Sequence, residues 1–339
     1  MVRKRRPSGD AEPPGREPLA EYRRRRDARR TPEPVPAGPL PRGDDDTFVI
    51  QEHHARALHW DLRLERGGVL VSWAVPRGLP PDPGVNRLAV HTEDHPIEYA
   101  AFTGTIPSGE YGAGTMTIWD RGTYRTEEWT ERKVTVELRG ERVAGRYALF
   151  ATDGRNWLVR RLDAASDPAR VPLPETFAPM LATDQASLPR PPEAYRYEVD
   201  WRGRRAIAFV ASGRMRLAGA DGTELTADRR VSRAVEALGA TEAVLDGELV
   251  ELDGAPVYVV SDLLHLDGAE LTGRPQEERW ALLDRLPLAG GCQVAPRFDD
   301  GPAVRAAARE RGLPGVLAKR RDAPYRPGRR SAAWKRVPV

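Results

Sequence analysis

With 339 residues, the chain has room for two domains of ordinary size, each able to bury its own core. A single cysteine, Cys292, excludes an intramolecular disulfide framework and fits a reducing compartment, and no run of about 18 apolar residues is present to cross a membrane. The net charge of +3 conceals an uneven distribution: residues 1–42 carry twelve Lys and Arg against six Asp and Glu, and residues 319–336 carry eight against one, so the middle is acidic. Two basic ends suit a polyanionic partner such as nucleic acid. The charged, proline-rich N-terminus has no apolar leader. A soluble cytoplasmic protein, nucleoid-associated and with no membrane partner, is expected.

Residues 1–18 are too polar and too rich in Pro and Gly to bury a core, and read as a disordered basic arm. Leu19 to Arg30 reads as a short basic helix ending before Thr31-Pro32, and Pro34 to Asp46 as a loop. From Phe48 to Leu162 short alternating segments follow one another: GVLVSWAV, NRLAVHT, TMTIWD, KVTVEL, GRYALFA and NWLVRRL. Many short strands at regular spacing predict a mainly β N-terminal domain, closed or nearly closed as a small barrel. The Gly109-Glu110-Tyr111-Gly112-Ala113-Gly114 stretch lacks the Gly-Lys-Ser/Thr ending of a phosphate loop and precedes a strand, so it reads as a tight turn. The expected boundaries are a first domain at residues 19–163, a linker at 164–174 and a second domain at 175–339.

The chemistry concentrates in Gln51-Glu52-His53-His54-Ala55-Arg56-Ala57-Leu58-His59-Trp60-Asp61-Leu62-Arg63. Five of the six histidines lie between His53 and His95. Leu58 to Leu64 alternates, and a strand would put His59, Asp61 and Arg63 on one face and Trp60, Leu62 and Leu64 on the other. Imidazole with carboxylate suits a divalent ion such as manganese or zinc, and a guanidinium grips phosphate oxygens with a two-pronged fork.

FVIQEHHARALHWDLRLE, followed by SWAVPRG, NRLAVHTEDHPIEYA, GTIPSGEYGAG and TIWDRGTY, resembles the 3'-phosphoesterase module of the bacterial multifunctional DNA ligase D. The resemblance runs from about Tyr22 to Leu162. It implies a metal ion, manganese or another divalent one, held by His53, His59 and Asp61, with His54 a bystander. It further implies that Arg63, His95 and Tyr99 hold the scissile phosphate, and that Arg87 and Glu93 are functional. Upstream, YRRRRDARRTPEP carries the family's arginine, aspartate and glutamate as Arg26, Asp27 and Glu33. One departure is Arg77, where the family has a lysine; the charge survives as a fork rather than a point. The implied reaction removes 3'-phosphates and 3'-terminal ribonucleotides from DNA to leave a 3'-hydroxyl, in repair by non-homologous end joining. Water and a ribose 2'-hydroxyl both remain open as the attacking group, and His95, if protonated, would serve as phosphate clamp or as general acid.

From Glu175 onward, TFAPMLAT, YRYEVDWRGRRAIAF, EAVLDGELVEL, VYVVSDLLHLDG and GVLAKRRDAPYRPGRRSAAWKRV resemble the adenylation domain of ATP-dependent DNA ligases. An α+β nucleotidyltransferase-like fold is implied. Ligases attack ATP with a lysine amine, and the position of that lysine holds Asp200. Arg202 replaces the next family aspartate, Pro314 a glutamate, and Arg336 and Pro338 the two closing lysines; Gly203, Arg205, Asp246, Gly247, Glu248 and Lys319 are retained. With four lysines against 49 arginines, drift towards Arg accounts for Arg77 and Arg336 but not for Asp200, Arg202 or Pro314. The expectation is a ligase-shaped domain, with no OB-fold, that neither uses ATP nor transfers adenylate. Its basic tail from Lys319 to Arg330 either binds phosphate backbone, with Tyr325 and Trp334 available for stacking on bases, or is a leftover of the old nucleotide and DNA surface. Two rival readings are an active ligase using another lysine such as Lys319, and a non-catalytic DNA-end scaffold. Family context implies a Ku-like end-binder and a separate ligase or polymerase as partners.

Overall fold

The computed structural model describes residues 17–339 apart from Arg42, Ser166 and Ala240, so the expected basic arm lies, up to Arg16, outside the described residues. The chain forms two compact units. Among the described residues no helix is long and apolar enough to cross a membrane.

The first unit opens with α1 (Ala20–Arg24), shorter than the predicted helix. Asp27 ends it early: its carboxylate accepts the Arg29 N–H at 3.0 Å and its carbonyl the Arg30 N–H at 2.8 Å, a local turn that competes with helix. Strands β1 (Thr47–His54), β2 (Leu58–Arg66), β3 (Val69–Val75), β4 (Asn86–His91), β5 (His95–Pro96), β6 (Gly104–Ile106), β7 (Gly114–Trp129), β8 (Lys133–Gly140), β9 (Ala144–Ala151) and β10 (Asn156–Arg161) follow. Their order β1-β2-β3-β4-β10-β9-β8-β7 returns to β1, closing an eight-stranded barrel, with β6 added on β7 and β5 on β3. Closure leaves few strand edges unpaired. The predicted strands lie where the alternation put them, except that β7 runs on through Gly122 to Trp129. A Cβ at Gly122 would sit 2.1 Å from the Arg139 carbonyl oxygen, so glycine is what lets β8 approach there. The register of β1 against β7 slips between Ile50 and Gln51, a bulge placed just before the histidines.

The second unit holds β11 (Leu181–Asp184), β12 (Tyr195–Val199), β13 (Arg204–Ala211), β14 (Arg214–Gly219), β15 (Glu224–Leu225), β16 (Ala243–Leu252), β17 (Ala255–Leu266), β18 (Ala269–Glu270), β19 (Cys292–Val294), β20 (Gly315–Arg320) and β21 (Arg330–Pro338). They make a four-stranded sheet β11-β21-β20-β12 and a seven-stranded one, β15-β14-β13-β16-β17-β18 with β19 parallel to β17. Met180, Ile207, Phe209, Val244, Leu264 and Trp334 form one apolar cluster bridging the two sheets. Helices α2 (Arg229–Arg233), α3 (Gln276–Leu283) and α4 (Gly301–Glu310) are short, so strand outweighs helix here too.

The expected base-stacking role of Tyr325 and Trp334 is not supported by their positions. Both rings are buried, in T-shaped contact at 5.5 Å between centroids. Tyr325 donates its hydroxyl proton to Asp246 at 2.7 Å, and the Trp334 indole N–H donates to Gln276 at 3.0 Å. Lys319 also leaves the basic surface. Alternation along β20 turns it inward, fully buried, while the side chain of Arg320 is half exposed.

Candidate metal centre and second-unit cleft

His53 near the end of β1 and His59 and Asp61 on β2 converge, with their donor atoms all within 4.8 Å of one another. His53 Nδ1 lies 3.8 Å from Asp61 Oδ2. His59 Nδ1 meets the Ala57 carbonyl oxygen at 3.0 Å; since a carbonyl only accepts, Nδ1 carries the proton and Nε2 the lone pair. Two imidazoles and a carboxylate, two of the three buried, fit a borderline divalent ion. His54 turns outward to Glu52 at 2.7 Å. His91 does not join the group: it stacks on Trp157 with centroids 6.0 Å apart.

Arg63 is held firmly within the protein. Its guanidinium is 2% exposed and donates to Gln51 Oε1 at 2.7 Å, Ser72 Oγ at 3.0 Å and Asp61 Oδ2 at 3.0 Å. This arrangement orients the Asp61 carboxylate. Gln51 and Ser72 are thus supporting residues that the sequence reading missed. Gln51 had a signal, standing two positions before His53 on an alternating strand.

Behind the metal ligands lies a second buried cluster. Arg26 donates from Nε to Glu33 Oε1 at 2.8 Å and from Nη1 to Glu93 Oε1 at 3.0 Å. Glu33 also accepts from the Tyr99 hydroxyl at 2.9 Å and from Thr31 at 2.6 Å. Burial pushes the Tyr99 hydroxyl up, so it stays a donor. Tyr99 carries the Arg63 guanidinium 4.7 Å above its ring and the His95 ring edge-on at 4.7 Å. The structure therefore brings Arg26, Glu33, Glu93, His95, Tyr99 and Arg63 together from segments far apart in the chain.

The condition attached to His95, that it be protonated, is opposed by its surroundings. Burial, then the charges of Arg63 and Arg26, hold its pKa well below the usual imidazole value. Its Nδ1 donates to the Glu93 carbonyl at 2.8 Å, and its Nε2 receives Arg26 Nη2 at 3.4 Å. A neutral ring in the folded state and an ordinary one in the unfolded state fix the sign of the linkage. Below about pH 6.5 the unfolded chain takes up a proton that the folded one refuses, so stability is full above that pH and falls as the pH drops towards the folded value. We expect His95→Gln to flatten this slope in urea midpoints compared at about pH 5 and about pH 8.

Three predicted residues stand apart from this cluster in their observed contacts. Asp27 faces Arg29 in the turn after α1. Arg87 donates to the carbonyls of Arg77, Gly78 and, at 3.0 Å, Leu79. Arg77 is exposed. The glycine-rich turn, by contrast, touches the metal group. Gly114 has φ +147°, and a Cβ there would lie 2.5 Å from the His54 carbonyl oxygen and 3.0 Å from His53 Nε2. Displacing a ligand's surroundings typically costs 10- to 100-fold in metal affinity. Gly114→Ala is expected to weaken manganese binding by at least about tenfold in calorimetric titration.

In the second unit a cleft of 610 Å³ gathers Asp200, Arg202, Gly203, Arg205, Glu248 and Arg336. Asp200 Oδ2 pairs with Arg336 Nε at 3.1 Å. Arg205 reaches Asp246 at 2.7 Å, and Glu248 accepts the Gly203 N–H at 2.9 Å. Burial pushes the Glu248 carboxyl up, and the Asp200 charge adds to the shift against the pull of Arg205. Lys319 is outside the cleft lining. Its amine meets Glu198 at 2.9 Å and lies 4.3 Å from the Trp334 ring centroid.

Residues 51–151, which include His53, His59 and Asp61, match the family model of the DNA Ligase D 3'-phosphoesterase domain. The chain as a whole is homologous to the multifunctional non-homologous end joining proteins LigD. It is 45% identical over 347 residues to that of Mycobacterium bovis, covering 96% of this chain and 46% of the relative. To that of Pseudomonas aeruginosa it is 35% identical over 400 residues, covering 95% and 47%. It thus spans about half the length of these relatives. A solved structure of a mycobacterial DNA ligase D complexed with ATP and MES aligns with 48% of this chain and 60% of its own, at 33% identity and a TM-score of 0.42.

Proposed function

We propose that this chain is a manganese-dependent 3'-end-processing phosphoesterase of DNA repair by end joining. On this reading it removes 3'-phosphates and 3'-terminal ribonucleotides to leave a 3'-hydroxyl. The observation that carries the reading is the convergence of His53, His59 and Asp61 inside the segment matched by the phosphoesterase family. A divalent ion held there supplies Lewis acidity to a phosphoryl oxygen. The chain's own residues do the rest. Ala57 fixes the His59 tautomer, Arg63 holds the Asp61 carboxylate, and the cluster of Arg26, Glu33, Glu93, His95 and Tyr99 braces Arg63 from behind. Arg77 and Arg87 are left as contributors on the DNA side, with duplex or primer-template ends as substrate and a Ku-like protein, ligase or polymerase acting in trans.

The same proposal divides the chain at 164–174 and assigns residues 175–339 to a ligase-like nucleotidyltransferase fold that no longer transfers adenylate. Asp200 stands in the cleft with its carboxylate on Arg336, where a phosphoramidate needs an amine. Lys319, the rival nucleophile, is closed in by Glu198 and Trp334. Incubation with α-labelled ATP and a divalent metal is expected to leave the protein unlabelled; labelling would restore the ligase reading.

The deciding assay follows a 5'-labelled primer-template ending in a 3'-phosphate or one ribonucleotide, with manganese, on a gel. Conversion to a 3'-hydroxyl end by the wild type and its loss in His59→Ala are expected. Tight DNA binding without conversion would favour the scaffold.

A further inference from the structure

Tyr111 is 46% exposed, whereas the other large aromatic rings of the first unit are covered to a greater degree. It sits in the turn between β6 and β7, three residues before the glycine that abuts His53 Nε2. An exposed aromatic ring in a turn usually swings freely. This one is fixed by Arg25, whose guanidinium carbon lies 4.5 Å from the ring centroid and which also donates to the Tyr111 hydroxyl. Arg25 is held in turn by Glu21 and, at 3.0 Å, by Glu93. Through Glu93 the ring connects to Arg26 at 3.0 Å, then to His95, Tyr99 and Arg63, and so to the metal ligand Asp61. Arg29 and Arg30, with side chains 90% and 67% exposed, follow in the same segment, and Arg30 reaches Glu110 beside the tyrosine at 2.7 Å.

We propose that Tyr111, held by Arg25, is the stacking platform for the base of the nucleotide at or next to the 3' end being processed. A rigid aromatic face beside an arginine-rich segment is how single-stranded nucleic acid is bound without regard to sequence, because every base has a face to stack and every link a phosphate. The platform fits an enzyme that must accept any terminal base. It also fits a frayed end better than a stacked duplex, since the last base has to leave its neighbour to lie on the ring. Arg25 acts here as a positioning residue, fixing the plane of the tyrosine. This inference rests on the phosphoesterase reading for the identity of the substrate.

The test uses the full chain and a primer-template carrying a 3'-phosphate and 2-aminopurine as its last base, in manganese-free buffer, with anisotropy reporting binding. Stacking on Tyr111 is expected to quench the 2-aminopurine on binding. Tyr111→Ala should abolish the quench and, with manganese restored, raise KM about tenfold at little-changed kcat. Tyr111→Trp should keep both near wild type, a rescue that a folding defect would not show. Binding without quenching, or quenching and KM untouched in Tyr111→Ala, would overturn the platform while leaving the phosphoesterase reading intact. Quenching that depends on Tyr111 in a protein that never turns the end over would sink the enzyme reading and keep the platform. Absence of binding to such ends would overturn both.

Discussion

Replacing Asp61 by asparagine is expected to lower manganese-dependent conversion of a 3'-phosphate end by about 1,000-fold, since the Lewis-acid contribution of a bound ion is worth several kcal/mol. The same carboxylate oxygen that faces the histidines also accepts from Arg63 at 3.0 Å, so two consequences have to be separated. Asparagine keeps an acceptor for the arginine and removes the charge that the metal needs. Its melting temperature should therefore fall less than that of the alanine variant, while metal affinity falls in both. Alanine removes the acceptor as well as the charge, so the buried guanidinium loses its hydrogen bond in addition to its counter-ion, a total loss of about 3–5 kcal/mol. Metal titration, the gel assay and thermal denaturation run on both variants distinguish the roles. Equal loss of stability in the two would mean that Asp61 is chiefly a partner for Arg63.

The largest purely structural effect is expected at Arg279. Its guanidinium and the Asp262 carboxylate are both 0% exposed and paired twice at 2.8 Å. Gln276 donates to the same carboxylate at 2.7 Å and accepts from the Trp334 indole at 3.0 Å, which ties the floor of the cleft to this pair. Arg279→Leu strands a buried carboxylate and should cost about 3–5 kcal/mol, read as a lower urea midpoint. Removing both charges, Arg279→Leu with Asp262→Leu, should recover much of that loss, because a buried pair is weak evidence for stability while a broken one is costly. A double variant no better than the single would show that the pair also sets the packing around Trp334.

What the sequence by itself determined is local. Alternation over Leu58–Leu64 placed His59 and Asp61 on one face of a strand, and six residues of separation brought His53 within reach through the neighbouring strand. The strand texture of the first unit was legible for the same reason, since each segment carries its own period and its own Gly or Pro punctuation. That residue 200 is an aspartate, on which the proposed loss of adenylate transfer rests, was likewise visible without coordinates.

The tertiary structure decided what depends on distance along the chain. Barrel closure is a pairing of β1 with β7, about seventy residues apart, and no local pattern announces it. Arg26 meets Glu93 and His95 across a comparable separation, and only there does the neutral state of His95 become apparent, because burial and two neighbouring cations set it. Arg63 was legible as a residue type suited to phosphate, while its burial and its bonds to Gln51 and Ser72 were not. In the basic tail, composition promised a charged surface. Strand alternation and the packing of two sheets instead drew Lys319, Tyr325 and Trp334 inside, because a basic run read by count says nothing about which way each side chain turns.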